Sequence, residues 1–184
     1  TGNPKGVLYH HRGAYLNAIG NAMTMGVTAQ SRYLWTLPMF HCNGWTFTWG
    51  VTAVGGTHVC LREVDPIQIF SLIAEHKVTH MCGAPVVLTA LIHAPKDVKY
   101  KVEHSIDIAT GGAAPPSAVI AGMEALGFSV THLYGMTECY GPSTVCVTQP
   151  GWEKLPLEER SLLMAQQGVH YMTLEDQAIL DSKT

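Results

Sequence analysis

Short apolar segments of strand length alternate with segments of helical period along most of this sequence, and that alternation limits the fold more than any other feature. Strands joined by helical crossovers run parallel in one sheet. We therefore expect an α/β fold, with a mainly parallel β-sheet layered with helices. The predicted strands are 6–10, 32–37, 57–61, 78–82, 106–110 and 128–133, and the predicted helices are 12–25, 45–54, 85–93 and 117–126, with a further helix starting at Pro66.

The helical period also predicts which residues face the core. Asp65 and Pro66 form a helix start, with Asp as the cap and Pro in the first helical position. The predicted core face of that helix comprises Ile69, Phe70, Ile73 and Ala74. The predicted core face of helix 12–25 comprises Tyr15, Ala18, Ile19 and Ala22.

The composition fits a single domain of this class and excludes several others. Of the 184 residues, 47% are hydrophobic and only 14% charged, as expected for strands buried on both faces. The net charge is -3 and there is no run of Lys or Arg, so nucleic acid is not an expected partner. No apolar run reaches about 18 residues, so no transmembrane segment is predicted. The five cysteines include no CxxC pair, which favours a reducing compartment, with the cytoplasm expected and a peroxisome or another organelle left open.

The sequence changes character after residue 148. We expect residues 1–148 to form the α/β core that carries the site motifs, and residues 149–184 to form a peripheral part. Within the latter, Leu157–Gln167 has the pattern of a charged amphipathic helix, and 177–180 that of a last strand.

Residues 1–6, Thr-Gly-Asn-Pro-Lys-Gly, have the ingredients of a phosphate-binding loop. Glycines allow close approach of the backbone to an anion, and Lys5 supplies a compact positive charge. The segment lacks the GxxxxGK[ST] spacing of a Walker loop. Taken alone, it fits a surface turn that contains a proline equally well.

Two further motifs follow predicted strands, at the edge of a parallel sheet where ligands bind. Residues 111–116, Gly-Gly-Ala-Ala-Pro-Pro, offer bare backbone to a flat ligand, although an ordinary strand-to-helix turn has the same pattern. Residues 134–138, Tyr-Gly-Met-Thr-Glu, combine a ring, a hydroxyl and a carboxylate. Glu138 is the type of ligand that Mg²⁺ prefers beside phosphate oxygens. The alternative for this motif is a capped loop without a ligand.

Residues 40–45, Phe-His-Cys-Asn-Gly-Trp, place polar and aromatic groups between a predicted strand and a predicted buried helix. Asn43 is positioned to cap that helix. Trp45 and Trp49 are four residues apart and are expected on one helical face. Such a pair belongs to a core more often than to a ligand pocket.

In their order along the chain, these segments resemble the AMP-binding superfamily of acyl-CoA synthetases, adenylation domains and luciferases. Residues 1–6 match the end of its phosphate loop, S-G-T-T-G-x-P-K-G, and residues 134–138 match its Y-G-x-T-E signature at every fixed position. The resemblance covers essentially the whole chain. His41 stands where amino-acid-activating domains have the Asp of F-D-x-S-V-W, and a buried ammonium group without a counter-charge is costly. The resemblance therefore implies an uncharged acyl group, as in the fatty and medium-chain acyl-activating enzymes of plants and bacteria.

The resemblance implies a role for each motif. His41, Thr137 and Glu138 are the expected catalytic residues, with Thr137 on the α-phosphate and Glu138 on Mg²⁺. The residues expected to bind the nucleotide are Thr1, Gly2, Lys5, Gly111, Gly112, Ala113, Tyr134, Gly135 and Thr137. The residues expected to bind the acyl group are His41, Trp45, Ala84 and Gly135.

The implied activity is that of an AMP-forming acid–thiol ligase that uses ATP, Mg²⁺ and coenzyme A on a small-molecule carboxylic acid, expected to be an aliphatic fatty acid. The family's ribose-binding Asp motif, hinge Arg and C-terminal Lys have no match here. We therefore expect a partial N-terminal domain of a longer enzyme, without the C-terminal lid domain and inactive on its own. The alternatives are an aryl-acid or luciferase-like adenylating enzyme and a nonenzymatic nucleotide-binding module. A homodimer is left open.

Overall fold

A computed structural model describes residues 3–99 and 102–181 and has one seven-stranded sheet at its centre. The strands are β1 (Arg32–Trp35), β2 (Thr57–Cys60), β3 (His80–Gly83), β4 (Ile106–Thr110), β5 (Phe128–Met136), β6 (Gly141–Val145) and β7 (Val169–His170). The helices are α1 (His11–Thr24), α2 (Cys42–Trp45), α3 (Phe47–Ala53), α4 (Pro66–His76), α5 (Pro85–Ile92), α6 (Ser117–Ala125) and α7 (Leu157–Met164), and short 3₁₀ turns cover Thr137–Cys139 and Trp152–Lys154.

The strand order in the sheet is β2-β1-β3-β4-β5-β6-β7. β1 to β5 run parallel, whereas β6 and β7 add an antiparallel edge beside β5. The expected mainly parallel α/β fold is confirmed. The carboxyl ends of the parallel strands therefore share one edge. Three of the four motifs singled out in the sequence lie at that edge: residues 40–45 after β1, residues 111–116 after β4 and residues 134–138 at the end of β5. No helix in the described part of the chain combines the length and apolar character that a bilayer crossing needs.

Two apolar cores cover the two faces of the sheet, because alternate strand residues point to opposite sides. Leu34, Met81 and Ile108 belong to the core beneath α4, α5, α6 and α7. Tyr33 and Cys82 belong to the core beneath α1 and α3. Each fully buried Leu, Ile, Met or Phe side chain contributes about 1.5–3 kcal/mol relative to its exposed state. The sheet is thus held from both sides, and only its edges are available for a site.

Helix α1 buries only part of the expected face. Ala18 and Ala22 are buried as predicted and Ile19 is half-buried, whereas Tyr15 is 65% exposed, so its assignment to the core is wrong. Gly20 and Asn21 are also buried. Small residues are needed where α1 meets α3, because a Cβ on Gly50 of α3 would lie 3.0 Å from the Ala18 carbonyl oxygen.

Helix α4 begins as expected. The Asp65 carboxylate accepts hydrogen bonds from the backbone N–H groups of Ile67 and Gln68, each at 3.3 Å, and Pro66 is the first helical residue. Ile69, Phe70 and Ile73 are buried as expected, whereas Ala74 is exposed, so its assignment to the core is wrong.

Two predicted strands do not form. Residues 6–10 and 177–180 pair with no strand among the described residues, and exposed side chains such as Leu8 (97%) and Ile179 (98%) show that neither packs into a core. Conversely, β6 and β7 were missed, and β5 continues through Met136, three residues beyond its predicted end. The part predicted as peripheral joins the core through Met164 of α7 and adds β7 to the sheet.

Candidate active site

A cavity of about 270 Å³ lies at the carboxyl edge of the sheet, between the segment after β1 and the β5–β6 connection. It brings together six of the residues expected from sequence, which come from three motifs far apart in the chain. These six are His41, Trp45, Gly112, Gly135, Thr137 and Glu138. The cavity is also lined by Cys42, Leu133, Met136, Gly141 and Pro142, which were not singled out in the sequence.

One wall of the cavity is a left-handed turn, residues 42–46, in which five consecutive residues have φ between 46° and 63°. Left-handed backbone costs about 1–2 kcal/mol for each residue other than glycine. Such strain persists only where the surroundings enforce it, and it clusters at functional sites. Gly44 is required here, because a Cβ would lie 2.6 Å from the Trp35 ring.

The left-handed turn overturns two expectations about this segment. Asn43 makes no side-chain cap to the helix and has φ of 47°. Trp45 and Trp49 do not share a helical face, because the backbone changes hand at Thr46 before α3 begins. Trp45 is 6% exposed and lines the cavity, whereas Trp49 is 40% exposed.

The opposite wall is the site hairpin, residues 133–142, in which β5 turns through the Thr137–Cys139 3₁₀ turn into β6. Gly135 faces Pro142 across a bulge between Tyr134 and Gly135. A Cβ at Gly135 would overlap the Gly141 carbonyl, so the two strands approach too closely for any side chain there. A glycine at 135 is thus a steric requirement of the hairpin.

The two walls meet across the floor of the cavity. The Cys42 Sγ and Thr137 Oγ1 atoms are 3.3 Å apart. A Cβ at Gly141 would lie 3.1 Å from Trp45 Cα, so the backbones are in van der Waals contact. The Thr137 hydroxyl is therefore held at the junction of the two walls.

Tyr9 and His10 contact the site hairpin, and the segment 6–10 that contains them forms no strand. The Tyr9 hydroxyl donates a hydrogen bond of 2.6 Å to the Thr137 carbonyl oxygen, and the Tyr9 and Tyr140 ring centroids are 4.3 Å apart. Burial, with the nearby Cys42 and Glu138, raises the pKa of Tyr9 above its usual value, so Tyr9 remains a neutral donor. Lys5 is exposed four residues before this contact, whereas Thr1 and Gly2 lie outside the described residues.

Glu138 is exposed on the cavity wall, and its carboxylate makes no ion pair or hydrogen bond with the described residues. Its charge acts on its neighbour, since burial and Glu138 together raise the pKa of the Cys139 thiol. The described residues include no group of three or more His, Cys, Asp or Glu side chains that would hold a metal alone. One free carboxylate fits Mg²⁺, which binds one or two carboxylates and takes its other ligands from phosphate and water.

Four other residues expected at the site lie at the same edge of the sheet but do not line this cavity. Gly111 is buried beneath Trp45, since a Cβ there would lie 3.1 Å from the indole ring. Ala113 is exposed, and Tyr134 is 38% exposed. Ala84 is the residue before α5. The cavity therefore contains the three expected catalytic residues, together with some of the residues expected to bind the nucleotide and some of those expected to bind the acyl group.

Among the cavity residues that were not predicted individually, Cys42 and Met136 lie inside the motifs 40–45 and 134–138, and the Gly141-Pro142 pair marks a turn. The place of Cys42 in the cavity depends on the left-handed turn, which its motif did not predict.

Known proteins resemble the chain over its whole length. Residues 1–170 match the family model described as AMP-binding enzyme. The peroxisomal acetate/butyrate–CoA ligase of Arabidopsis thaliana is 49% identical over 185 residues, which cover 100% of this chain and 32% of that ligase. The peroxisomal trans-cinnamate:CoA ligase of Petunia hybrida is 45% identical over 184 residues, again 100% of this chain and 32% of the ligase. The chain thus spans about a third of the length of these curated relatives.

Solved structures give the same result. The fatty acyl CoA synthetase of Mycobacterium tuberculosis superimposes with a TM-score of 0.78 at 27% identity, covering 94% of this chain and 32% of the synthetase. The o-succinylbenzoate CoA synthetase of Bacillus subtilis, solved with ATP and a magnesium ion, gives a TM-score of 0.72 at 27% identity over 84% of this chain and 31% of that chain. The fold, the order of the motifs and the family match agree, and the chain belongs to the AMP-binding enzyme family.

Proposed function

We propose that the full-length protein is an AMP-forming acyl-CoA synthetase that activates an aliphatic carboxylic acid and transfers it to coenzyme A. One observation carries the proposal: a single cavity joins a free carboxylate (Glu138), a hydroxyl (Thr137) and an indole wall (Trp45). Those are the groups that a metal-bound phosphate and an apolar acyl chain require. Membership of the AMP-binding enzyme family supports the same chemistry.

On the nucleotide side, Glu138 is the proposed ligand of Mg²⁺ and Thr137 the proposed donor to the α-phosphate. When bound, Mg²⁺ neutralises charge that develops on the phosphate oxygens. Lys5 is the proposed contact to the ATP phosphates. The hydrogen bond from the Tyr9 hydroxyl to the Thr137 carbonyl oxygen supports this role, because it holds the segment that follows Lys5 beside the cavity. The residues proposed to hold the adenosine are Gly111, Gly112, Ala113, Tyr134 and Gly135, with Thr1 and Gly2 proposed beside the phosphates.

On the acyl side, His41, Trp45, Ala84 and Gly135 are the proposed contacts. His41 precedes the left-handed turn, Trp45 belongs to it, and Gly135 lines the opposite wall of the cavity. Described residues of the cavity include no carboxylate other than Glu138. An amino acid substrate would leave its ammonium group without a counter-charge, which supports an uncharged acyl chain.

The proposed reaction has two steps. A carboxylate oxygen of the acid attacks the α-phosphorus of ATP, which forms the acyl–phosphate bond, breaks the bond to the β-phosphate and releases pyrophosphate. The coenzyme A thiolate then attacks the acyl carbonyl carbon and AMP leaves. The chain's own residues orient the reactants and offer donors to the developing charge. No cysteine nucleophile is needed, and burial raises the pKa of Cys82 to about 12, which keeps that thiol protonated.

The test is a pair of assays on the full-length protein. We expect pyrophosphate exchange into ATP that depends on added carboxylic acid, and thioester formation once coenzyme A is present. The acids are acetate, butyrate, octanoate and trans-cinnamate, at equal concentration. Faster turnover of butyrate or octanoate than of trans-cinnamate supports an aliphatic substrate.

A specific observation favours a second candidate, an aryl-acid adenylating enzyme: the trans-cinnamate:CoA ligase of Petunia hybrida is 45% identical to this chain. Faster turnover of trans-cinnamate in the same assay establishes it. Binding of ATP and Mg²⁺ without exchange for any acid establishes instead a nonenzymatic nucleotide-binding protein.

The location and assembly of the protein are proposals as well. We place it in the cytoplasm or the peroxisome, and the second location is supported by the names of the peroxisomal relatives. A homodimer is supported only by exposed apolar side chains such as Phe40 (85%) and Val86 (73%). Light scattering of the full-length protein measures the assembly directly.

A further inference from the structure

Two asparagines of α1, Asn17 and Asn21, occupy positions where a helix seldom carries them. Asparagine is unfavourable in helix interiors, because its side-chain amide competes for the hydrogen bonds of the backbone. Asn21 is fully buried, and a buried amide is costly unless its polar atoms are paired. The partners of these two side chains therefore indicate why α1 has them.

Asn21 holds the left-handed turn from inside the protein. Its Nδ2 donates to the Trp45 carbonyl oxygen at 2.7 Å and contacts the Thr46 Oγ1 at 2.7 Å. Its Oδ1 accepts a hydrogen bond of 2.9 Å from the Tyr171 hydroxyl. The Trp45 carbonyl lies where the backbone is left-handed, so a side chain supplies the donor that regular secondary structure would provide elsewhere.

Asn17 contacts both walls of the cavity. Its Nδ2 donates to the Pro142 carbonyl oxygen at 2.6 Å and to the Cys139 carbonyl oxygen at 3.3 Å, both in the site hairpin. Its Oδ1 accepts from the Thr46 hydroxyl at 2.7 Å and from Asn21 Nδ2 at 3.1 Å. One amide thus connects the left-handed turn to the site hairpin.

Asn17 itself does not line the cavity, so its effect on a ligand passes through the walls. The Cys42 and Thr137 side chains touch at the far side of the same junction, 3.3 Å apart. Loss of the Asn17 links leaves the strained turn free to relax away from the hairpin. The Thr137 hydroxyl and the Glu138 carboxylate would then shift relative to His41 and Trp45.

We propose that Asn17 is a positioning residue that fixes the separation of the two cavity walls for acyl-adenylate formation. This inference rests on the proposed function. The barrier to the proposed adenylation depends on how the reacting groups are aligned. A misplacement of about 1 Å lowers the rate about 100-fold. Asn17 therefore acts on turnover through geometry, without contact to substrate.

Two substitutions cut the two links separately. Asn17→Asp keeps the size and the acceptor for Thr46, but places an oxygen opposite the Cys139 and Pro142 carbonyls. Thr46→Val removes the hydroxyl that Asn17 accepts from and keeps the branched shape at the same φ. Thr46→Ser retains the hydroxyl and is the matched control.

The experiment measures acid-dependent pyrophosphate exchange by the full-length protein and its variants, well below their melting temperatures. We expect kcat to fall about 100-fold in Asn17→Asp and Thr46→Val, with a much smaller change in the KM for ATP, and to remain close to wild type in Thr46→Ser. The double variant is expected to lose little more than either single one, because the two links act in series and cutting either one already disconnects the two walls. Unchanged kcat in both single variants, with only a lower melting temperature, overturns the proposal. If Asn17→Asp does not fold, the Thr46 pair decides.

A second readout does not depend on activity. Cys42 lines the cavity and is half-buried, whereas Cys60 is exposed on β2 and serves as the internal reference. We expect iodoacetamide to label Cys42 about tenfold faster, relative to Cys60, in Asn17→Asp and Thr46→Val than in wild type. If the wild-type protein shows no exchange, the proposed function fails, and labelling still tests the link. Equal labelling ratios in all variants overturn the link itself.

Discussion

Glu138 is the one cavity residue whose side chain carries a full negative charge, and nothing in the described part of the chain neutralises it. Such a carboxylate is placed to meet a cation together with phosphate oxygens. We expect Glu138→Gln to lower acid-dependent pyrophosphate exchange by the full-length protein about 100-fold, because it removes charge stabilisation at the phosphate. The loss is expected to shrink at high Mg²⁺ concentration.

The control for that variant is Glu75→Gln, which removes an exposed carboxylate on α4, outside the cavity. Exchange by Glu75→Gln is expected to match that of wild type. Full activity of Glu138→Gln at every Mg²⁺ concentration contradicts the assignment of Glu138 as the metal ligand.

His58 supports the left-handed turn indirectly. It hydrogen-bonds to Trp35, and the Trp35 ring packs on Gly44 of the turn. The Trp35 indole N–H donates to His58 Nδ1 at 2.8 Å, and His58 Nε2 lies 3.0 Å from Thr52 Oγ1. The Thr52 hydroxyl donates to the Thr48 carbonyl, so it accepts from Nε2–H. This arrangement needs a neutral imidazole, because a proton on Nδ1 would face the indole N–H.

Burial lowers the pKa of His58 below its usual 6.5. The unfolded chain therefore binds the proton more readily than the folded protein does. The stability contributed by neutral His58 is fully present above the unfolded pKa of 6.5, and it is lost as pH falls from there through the lower folded pKa. We expect the free energy of unfolding of wild type to fall more steeply than that of His58→Gln between about pH 7.5 and about pH 5. Urea denaturation at each pH measures both, with exposed His93→Gln as control. Parallel curves for wild type and His58→Gln would show that this histidine is not linked to folding.

At the scale of elements, the site hairpin depends on two glycines that let β5 and β6 approach. Gly135 has no room for a Cβ beside the Gly141 carbonyl, and the bulge lies next to it. We expect Gly135→Ala to lower the free energy of unfolding by about 1–3 kcal/mol, as overpacking does, and to open the cavity. Urea denaturation measures the first effect and acid-dependent exchange the second.

Gly6→Ala is the matched control for stability, because a Cβ at Gly6 meets nothing within 4 Å. Its unfolding curve is expected to superimpose on that of wild type. If Gly135→Ala is equally stable, the strands tolerate a side chain and the steric argument is wrong.

Sequence patterns predicted elements well where the cause is local. The Asp65-Pro66 start specified α4, and the apolar runs specified β1 to β5, because those signals lie within a few residues of the structure they produce. β6 was missed because Gly-Pro-Ser-Thr-Val lacks a strand's apolar alternation and is held by pairing with β5. Residues 6–10 are a short apolar segment of strand length, but they pair with no strand among the described residues.

At the scale of the whole molecule, the parallel sheet explains why distant motifs form one site. Strands β1, β4 and β5 end at one edge, so residues near 41, 112 and 137 meet there although the sequence separates them widely. The sequence motifs therefore predicted six of the residues that line the cavity, although not all of the expected ones do. They did not predict the left-handed turn, because its conformation depends on Asn17 and Asn21 of α1 and on the Trp35 ring, which are tertiary partners.

We propose that the cavity between the left-handed turn and the site hairpin holds the acyl-adenylate. Cys42, in the left-handed turn, lines this cavity and reports on its occupancy, and exposed Cys60 is the internal reference. The most direct measurement is iodoacetamide labelling of the full-length protein during titration with a non-hydrolysable butyryl-adenylate analogue, with binding followed by calorimetry. We predict that Cys42 is protected in proportion to occupancy while Cys60 is labelled at a constant rate. Undiminished labelling of Cys42 at saturating analogue would show that the acyl-adenylate does not bind in this cavity.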